Sequence, residues 1–211
     1  MTRTRIGSLV NLMKDAAQPK TTRDAILDAT DRMLSKYGYK KMTIDDLAKE
    51  VGIGKGSVYL HFKSKGDIAL SHIDRIIERM KTRLHAIASS SGSCETRLRK
   101  MIVERVMYRF DSVQHYSQSL NEILAQLRPQ LLERRKRYFE AEASIISTVL
   151  AEGKKSGIFA IKDPVDAGRT ILDATNALLP YTLSVYELGE RAEVEKRVNR
   201  VADLILNGLK K

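Results

Sequence analysis

Apolar residues recur every three or four positions along nearly the whole chain, the spacing that places them on one face of an α-helix. No stretch alternates apolar and polar residues with a sustained period of two, which is the pattern typical of a half-buried strand. The pattern predicts helices over about 22–37, 43–51, 55–62, 64–87, 94–114, 117–127, 129–155, 163–186 and 190–209. We therefore predict an all-α protein.

Three of the predicted helices begin with the same local signal. A Ser or Thr at the N-cap is followed three residues later by Asp, so that each side chain can satisfy a free backbone N–H of the other residue. The pairs are Thr21 with Asp24, Thr43 with Asp46, and Ser64 with Asp67. After the second of these helices, Gly52 and Gly54 allow a tight reversal because glycine tolerates a positive φ. A short helix, a tight turn and another short helix form a helix-turn-helix arrangement.

The predicted helices divide the chain into parts of different character. Residues 1–20 form a basic, partly amphipathic extension, 21–67 a three-helix unit that contains the helix-turn-helix, and 68–211 a larger helical domain. The extension is an arm that reaches nucleic acid, an additional helix docked on the larger domain, or a frayed end. Within the larger domain, the polar run 89–93 is the clearest linker.

The charge balance narrows the class of partner. The chain carries 37 basic and 26 acidic side chains, a net charge of +11, which favours a polyanion such as nucleic acid or an anionic membrane surface over a merely solvated face. No apolar run approaches the roughly 20 residues that span a bilayer, so we expect no membrane partner. Cys94 is the single cysteine and can form no intrachain disulfide, which fits a reducing cytoplasm.

Signals for catalysis or metal binding are weak. The four histidines lack the spacing of paired metal ligands, and His72 and Asp74 are expected on a solvated helix face. The run that begins at Gly52 lacks the preceding strand that a dinucleotide site needs, and no nucleophile elbow occurs. We expect no metal, no cofactor and no enzymatic activity.

The helix at about 55–62 has the residues of a helix that enters the major groove of DNA. Lys55 can contact a phosphate or a guanine edge, Gly56 permits close approach of the backbone, and Ser57 offers a small hydrogen-bonding group. Val58 and Phe62 are expected in the core. Spacing alone also fits a pair of short helices that only pack together, so both interpretations stay open at this point.

Residues around this helix favour contact with the DNA backbone. Tyr59 and His61 can reach phosphates, and Lys65 lies at the start of the next helix. The free N–H groups at the N-terminus capped by Thr43 offer a further phosphate site. Between Ile53 and Lys65 the chain carries three lysines and no acidic residue, so this surface is predicted to be positive.

The segment 43–69, TIDDLAKEVGIGKGSVYLHFKSKGDIA, closely resembles the DNA-binding motif of the TetR family. The resemblance rests on the Thr before the second helix, the Val-Gly turn, and the stretches Lys-Gly-Ser-Val-Tyr and Phe-Lys-Ser-Lys in one register. It extends back to residue 21, and beyond residue 87 it is architectural. The family resemblance implies a homodimer whose two recognition helices enter successive major grooves of a near-palindromic operator.

The resemblance also assigns roles by position. It implies phosphate contacts for Thr43, Tyr59, His61 and Lys65, and places Lys55, Gly56, Ser57 and Leu60 nearest the bases. Two residues depart from the usual pattern. Gly54 stands where the family usually has Ser or Thr, so a side-chain cap or phosphate contact is missing, and Gly66 stands where Glu is common.

The larger domain is expected to dimerise and to bind a small organic ligand, as in this family. A stripe on the last helix would form the dimer interface, with burial against the chain's own core as the alternative; it consists of Val194, Val198, Val201 and Ile205. Candidate ligand contacts are polar or adaptable residues on inward faces or near predicted helix breaks: Met101, Arg105, Tyr108, His115, Tyr116, Asn176 and Tyr181. Met, Tyr and Arg suit a partly apolar, anionic molecule.

The sequence thus predicts a regulator of transcription that a small molecule releases from its operator. One alternative is a DNA-binding protein of the same fold that has no ligand and acts through a protein partner or structurally. Another is an all-helical enzyme or metal-binding protein, for which Lys55, Tyr59 and Lys65 would be dispensable.

Overall fold

The computed structural model describes residues 21–180 and 185–210. The predictions made for the 1–20 extension and for Tyr181 lie outside the described residues. Regular structure in the described ranges is helical, apart from one isolated bridge pairing between Phe159 and Lys210. The prediction of an all-α protein is confirmed.

The helices follow one another with short connections. They are α1 Thr22–Tyr37, α2 Ile44–Val51, α3 Lys55–His61, α4 Lys65–Ala88, α5 Cys94–Val113, α6 Ser117–Lys155, α7 Pro164–Asn176, α8 Val185–Leu188 and α9 Arg191–Leu209, with a 3₁₀ turn at Gln114–Tyr116 between α5 and α6. None of these helices is long and apolar enough to cross a membrane.

The starts of α1, α2 and α4 lie where the sequence signals predict them. Thr21, Thr43 and Ser64 each accept a hydrogen bond from the backbone N–H three residues later. The Asp side chains do not complete the reciprocal bond of a capping box. In the first two cases the Asp accepts the hydroxyl proton of the Thr, and Asp67 accepts the N–H of Lys63 instead. Each helix start is still fixed by a local side chain.

The helix-turn-helix is held by a small apolar core. Gly52 ends α2 with φ 77° in the left-handed region, and this turn directs α3 back across α2. Leu47 on α2 and Val58 on α3 are fully buried, and Phe62 after α3 is 2 % exposed. These residues pack in one continuous core with α1 and α4, so α4 is shared between the DNA-binding unit and the rest of the chain.

The breaks in the long helices are governed by proline. α6 is one element with a non-helical residue at Leu127 (φ −117°, ψ 18°), two residues before Pro129, where the sequence predicts two separate helices. The prediction that a kinked helix runs from 163 to 186 is wrong, because α7 ends at Asn176 and 177–180 form turns. A helix that continued to Pro180 would bring the proline ring against the carbonyl of Asn176.

The stripe predicted on α9 divides into two parts. Val194 and Val198 are fully buried within the single chain, where α9 packs on α5, so the expectation that they form a dimer interface is corrected. The i, i+4 spacing identifies a buried face but not the surface that covers it. Val201 and Ile205 are only partly buried, and the neighbouring Leu204 is 75 % exposed.

Candidate DNA-binding surface and ligand cavity

α3 lies with one face in the core and the other open to solvent. Val58 anchors the buried face, whereas Tyr59 is 49 % and Leu60 84 % exposed, and His61 is also exposed. Because the Leu60 side chain is so accessible, it contributes almost no hydrophobic stabilisation to the single chain. The exposed face thus offers apolar, aromatic and hydrogen-bonding groups on one short helix.

Lys55 and Thr43 already have intramolecular partners on this surface. The ammonium group of Lys55 donates to the carboxylate of Asp45 at 2.9 Å, and the hydrogen bond and charge of Asp45 raise the pKa of Lys55. Both side chains are about half exposed, so water and salt weaken this pair and the lysine can exchange Asp45 for another anion. The Thr43 hydroxyl caps α2 and donates to Asp46, so this hydroxyl already has two partners within the chain.

Lys65 is less free than the other predicted contacts. Its ammonium group donates to the backbone carbonyls of Tyr39 at 3.1 Å and Lys40 at 3.3 Å, and it lies 4.7 Å from the centre of the Tyr39 ring. These contacts tie the start of α4 to the segment before α2. A phosphate contact by Lys65 would have to share its remaining proton or replace one of these carbonyls.

Gly54 and Gly66, the two residues that depart from the usual family pattern, have different surroundings. Gly54 caps α3 without a side-chain hydrogen bond, and a Cβ added there, or at Gly56, would meet open space. A Cβ at Gly66 would lie 3.1 Å from the side chain of Leu127, at the break in α6. Gly66 therefore lets α6 pack closely on the start of α4, which sequence comparison alone did not reveal.

A cleft lies among α4, α5, α6 and α7. The space within it, counted together with its open mouth, is about 700 Å³. Most of the wall is apolar, with a set of arginines and one carboxylate. The lining side chains are Ile73, Ile77, Arg105, Arg109, Leu124, Arg128, Leu131, Leu132, Arg135, Tyr138, Phe139, Glu142, Asn176 and Leu179.

The wall contains a buried cluster of three charges. Arg105 donates to Glu142 at 2.8 Å and Arg109 donates to the other oxygen of the same carboxylate, and all three side chains are at most 3 % exposed. Arg105 also donates to Thr175 at 2.7 Å and Asn176 at 2.9 Å, which links α5 to α7. The cluster carries two positive charges against one negative charge.

Burial and charge act in opposite directions on these groups. Burial, together with the charges of Arg109 and Arg135, lowers the pKa of Arg105 to about 10 despite the attraction of Glu142. Burial raises the pKa of Glu142, but Arg109 and Arg105 lower it by more, so it ends below its usual value. Arg105 and Glu142 are therefore both charged at neutral pH.

The predicted ligand residues fall into separate places. Arg105 and Asn176 line the cleft. Met101 and Tyr116 are buried in the core away from it, and Tyr108 and His115 line a second, polar cleft on the surface. The sequence-based set thus overlaps the cleft only in part, because helical spacing gives the face of a residue but not the helix opposite.

In the second cleft, side chains of α1, α4 and the 3₁₀ turn meet around the carboxylate of Asp31. His72 lies 3.3 Å from one carboxylate oxygen of Asp31 and His115 lies 3.3 Å from the other. Burial raises the pKa of Asp31, but hydrogen bonds and charges from the two histidines lower it below its usual value. His72 is 3 % exposed and lies 3.1 Å from the Tyr116 hydroxyl, so the expectation of a solvated face is wrong for it.

Arg128 and Arg135 are the charged wall residues that the sequence prediction missed. They lie seven positions apart on α6, with Leu131 and Leu132 between them, so one face of the helix lines the cleft. Arg105 and Arg109, four positions apart on the otherwise apolar inner face of α5, were the available sequence signal for a charged wall.

The cleft is connected to the start of α4. Arg134 of α6 pairs with Asp74 and lies 3.7 Å from Asp67, both on α4, and the Tyr138 hydroxyl donates to Asp74. Asp74 therefore contacts α6, whereas the sequence predicted that its side chain would lie on a solvated helix face. We call Asp67, Asp74, Arg134 and Tyr138 the α4–α6 clamp.

Comparison with known proteins agrees with the helix-turn-helix. Residues 26–71 match the family model of bacterial regulatory proteins, tetR family. An uncharacterised helix-turn-helix transcriptional regulator from the lacX 3′ region of Lactococcus lactis is 33% identical over 84 residues, which cover 39% of this chain and 43% of that protein. The fatty acid metabolism regulator of Bacillus subtilis is 23% identical over 200 residues, 87% of this chain and 93% of that protein.

The likeness to solved structures extends over almost the whole chain. A TetR/AcrR-family regulator from Thermobifida fusca is 25% identical, with a TM-score of 0.68, over 90% of this chain and 98% of that one. The regulator FadR of Bacillus subtilis, solved in complex with stearoyl-CoA, is 21% identical with a TM-score of 0.66, over 88% and 98% of the two chains. At this identity, the likeness to FadR shows a shared fold.

A helix-turn-helix unit with an exposed recognition helix, fused to a larger helical domain, defines a DNA-binding regulator of transcription. The family-model match over 26–71, the TetR/AcrR-family structural neighbour and the related regulators support the TetR family of bacterial regulators for this chain. Its relatives are regulators and not enzymes, which agrees with the expectation from sequence.

Proposed function

We propose that the protein is a homodimeric cytoplasmic repressor that binds a near-palindromic operator and is released from it by a small organic ligand. The observation that carries the proposal is the position of α4. It follows α3 directly along the chain, packs against α1 of the DNA-binding unit, and lines the ligand cleft through Ile73 and Ile77. A ligand that moves α4 therefore acts on the separation of two recognition helices in a dimer.

In this proposal, 21–67 is the DNA-binding unit and 68–211 senses the ligand and dimerises. Thr43, Tyr59, His61 and Lys65 contact phosphates, and Lys55, Gly56, Ser57 and Leu60 lie nearest the bases. The exposed Leu60 suits contact with a thymine methyl group. Burial of that side chain against DNA gives an energetic reason for its exposure in the single chain.

The dimer surface on α9 is proposed to be the exposed part of the stripe. Leu204 is its centre, flanked by the partly buried Val201 and Ile205. An apolar strip at this exposure is typical of a surface covered by a partner. Sedimentation of L204E as a monomer, with wild type a dimer at the same concentration, is the expected result, and two identical profiles would refute this surface.

Ligand release is proposed to act through the α4–α6 clamp. α6 lines the cleft with Arg128, Arg135 and Tyr138 and holds Asp74 of α4 through Arg134. Since Tyr138 belongs to both the cleft and the clamp, a ligand that displaces it perturbs the hold on α4. By linkage, operator DNA weakens ligand binding by the same factor by which the ligand weakens operator binding.

A second candidate is a regulator of the same fold that has no ligand and acts through a protein partner. The apolar wall of the cleft and the arginines in it favour the ligand-responsive proposal, as does the fold neighbour that was solved with stearoyl-CoA. A compound screen by thermal unfolding, followed by operator release for each compound that raises Tm, separates the two candidates. Stabilising compounds that never release the operator would favour the second.

The DNA-binding part is tested by selection from a library of random duplexes with the purified protein at several salt concentrations. We expect enrichment of a near-palindrome whose half-sites are one or more helical turns apart. Several salt concentrations are needed because a chain of charge +11 binds DNA non-specifically at low salt. Recovery of no enriched sequence at any of them would refute the proposal.

A further inference from the structure

The charges that line the cleft do not balance. Among the residues that the structure describes, its wall holds four arginines, Arg105, Arg109, Arg128 and Arg135, and a single carboxylate, that of Glu142. Both oxygens of Glu142 are already used by Arg105 and Arg109. The wall is therefore left with an excess of positive charge beside a mostly apolar surface.

The arginines on α6 are the ones available to a ligand. Arg105 uses its Nε, Nη1 and Nη2 atoms on Glu142, Thr175 and Asn176. Arg128 and Arg135 make no ion pair or hydrogen bond with any residue in the described ranges. Arg128 is exposed and Arg135 half-buried, which places them at the mouth and on the wall of the cleft. Guanidinium groups so placed suit bidentate binding of a carboxylate or phosphate.

The remaining wall suits an apolar chain. Ile73 and Ile77 from α4 and Leu124 and Leu131 from α6 contribute aliphatic surface, and Leu179 closes the side next to α7. Because transfer of such surface out of water is favourable in proportion to its area, this part of the cleft binds a hydrocarbon body. A cationic ligand is disfavoured here by four arginines.

We infer that the ligand is an amphipathic organic anion, whose carboxylate or phosphate group binds Arg128 and Arg135 and whose hydrocarbon part lies between α4 and α6. This inference rests on the proposed function, in that it assigns a ligand class to the same cleft. It explains why Arg128 and Arg135, which have no ion-pair partner among the described residues, lie beside a mostly apolar wall. Charge, and not only shape, then determines which molecules act on the regulator.

Three probes with one hydrocarbon chain test the inference: decanoate, decanoyl-CoA and decan-1-ol. Binding is measured by displacement of anilinonaphthalene sulfonate, whose signal is clean because the chain contains no Trp. We expect either anion to bind at least about tenfold more tightly than the alcohol, the size of one charge-assisted hydrogen bond. Decanoate tighter than the thioester indicates a carboxylate head, and the reverse order indicates phosphate.

The variants R128Q and R128Q/R135Q test whether the anionic group of the ligand binds Arg128 and Arg135. R137Q is the matched control. Arg137 lies on α6 two positions beyond Arg135, is exposed, and does not line the cleft. We expect R128Q to weaken the anions severalfold and the double variant by about tenfold or more, with decan-1-ol unchanged. R137Q should bind all three probes like wild type. Since Arg128 is exposed, R128Q tests the inference even if the double variant unfolds.

Different outcomes separate this inference from the proposed function. Equal affinity for decanoate, decanoyl-CoA and decan-1-ol, or anion binding unaffected by R128Q and R128Q/R135Q, would overturn the amphipathic-anion assignment. If decan-1-ol nevertheless releases the protein from the selected operator, the proposal of a ligand-responsive repressor still stands. Absence of binding by all three probes to a protein that still binds its operator would overturn the inference and favour a regulator without this ligand class.

Discussion

The recognition surface and the cleft use charge in opposite ways. Lys55 on α3 is paired with Asp45 while both side chains are about half exposed, so the pair costs little to open. Arg105 and Arg109 share Glu142 in a wall where each group is nearly excluded from water, so separating them is costly. The comparison indicates that the surface is built to exchange partners, whereas the cleft is built to keep a fixed shape.

Removal of the buried carboxylate gives the largest expected effect. E142Q leaves Arg105 and Arg109 without their shared anion, and loss of one partner from a buried pair costs about 3–5 kcal/mol in the free energy of unfolding. Urea unfolding followed by circular dichroism measures it. The control is E140Q on the same helix, whose ion pair with Arg169 at 2.8 Å is about half exposed and is expected to contribute under about 1 kcal/mol. Equal losses would remove the contrast between surface and cleft.

The corresponding change on the surface affects binding and not folding. K55A is expected to weaken binding to the selected operator by about 1–3 kcal/mol, the range for one base or phosphate contact, with unchanged free energy of unfolding. Fluorescence anisotropy of a labelled duplex measures this. K196A, an exposed lysine on α9, is the control for loss of one positive charge. If both variants lose the same affinity, overall charge and not the α3 surface determines binding.

The contact between the two regions can be tested at Gly66 and Leu127. In an L127A background, G66A is expected to stabilise the protein by up to about 1 kcal/mol, the difference between Ala and Gly in a helix interior, because Gly66 lies in the first turn of α4. In wild type the gain is expected to be smaller, because the new Cβ lies 3.1 Å from Leu127. A double-mutant cycle from thermal unfolding gives the coupling. A coupling of zero would mean that α6 does not press on the start of α4.

The smallest effect concerns pH. Because the folded pKa of Asp31 is lowered, its carboxylate stabilises the fold above its unfolded pKa, and this contribution is lost as pH falls through the folded value. D31N should therefore reduce the loss of stability between neutral and acidic pH, measured by urea unfolding. D173N, an exposed change on α7, serves as the control. If stability depends on pH in the same way in D31N and in wild type, the Asp31 carboxylate does not contribute to the pH dependence.

Local signals in the sequence predicted the DNA-binding unit well. The caps at Thr21, Thr43 and Ser64 and the left-handed Gly52 act within a few residues, so their effect can be recognised without knowing the rest of the fold. The recognition helix between them followed directly. Its phosphate and base contacts stay predictions until a complex is tested.

The larger domain depends on contacts between distant helices, and there the sequence was a weaker guide. Periodicity placed Val194 and Val198 on an apolar face but did not indicate that α5 covers it. It also gave no means to see that Arg128 and Arg135 would face the same space as Arg105. Such relations depend on how helices cross, which the hydrophobic period of a single helix does not contain.

The pair formed by Asp45 and Lys55 bears on how a regulator finds one site among many. In the proposed complex with unrelated DNA, Lys55 would gain only a phosphate contact in exchange for Asp45, and the carboxylate would remain beside the phosphates as a repelling charge. At the proposed operator, the same exchange would also give a contact with a base edge. We therefore expect Asp45 to penalise binding to competing genomic sequence more than binding to the operator, and to raise the specificity ratio while lowering affinity overall.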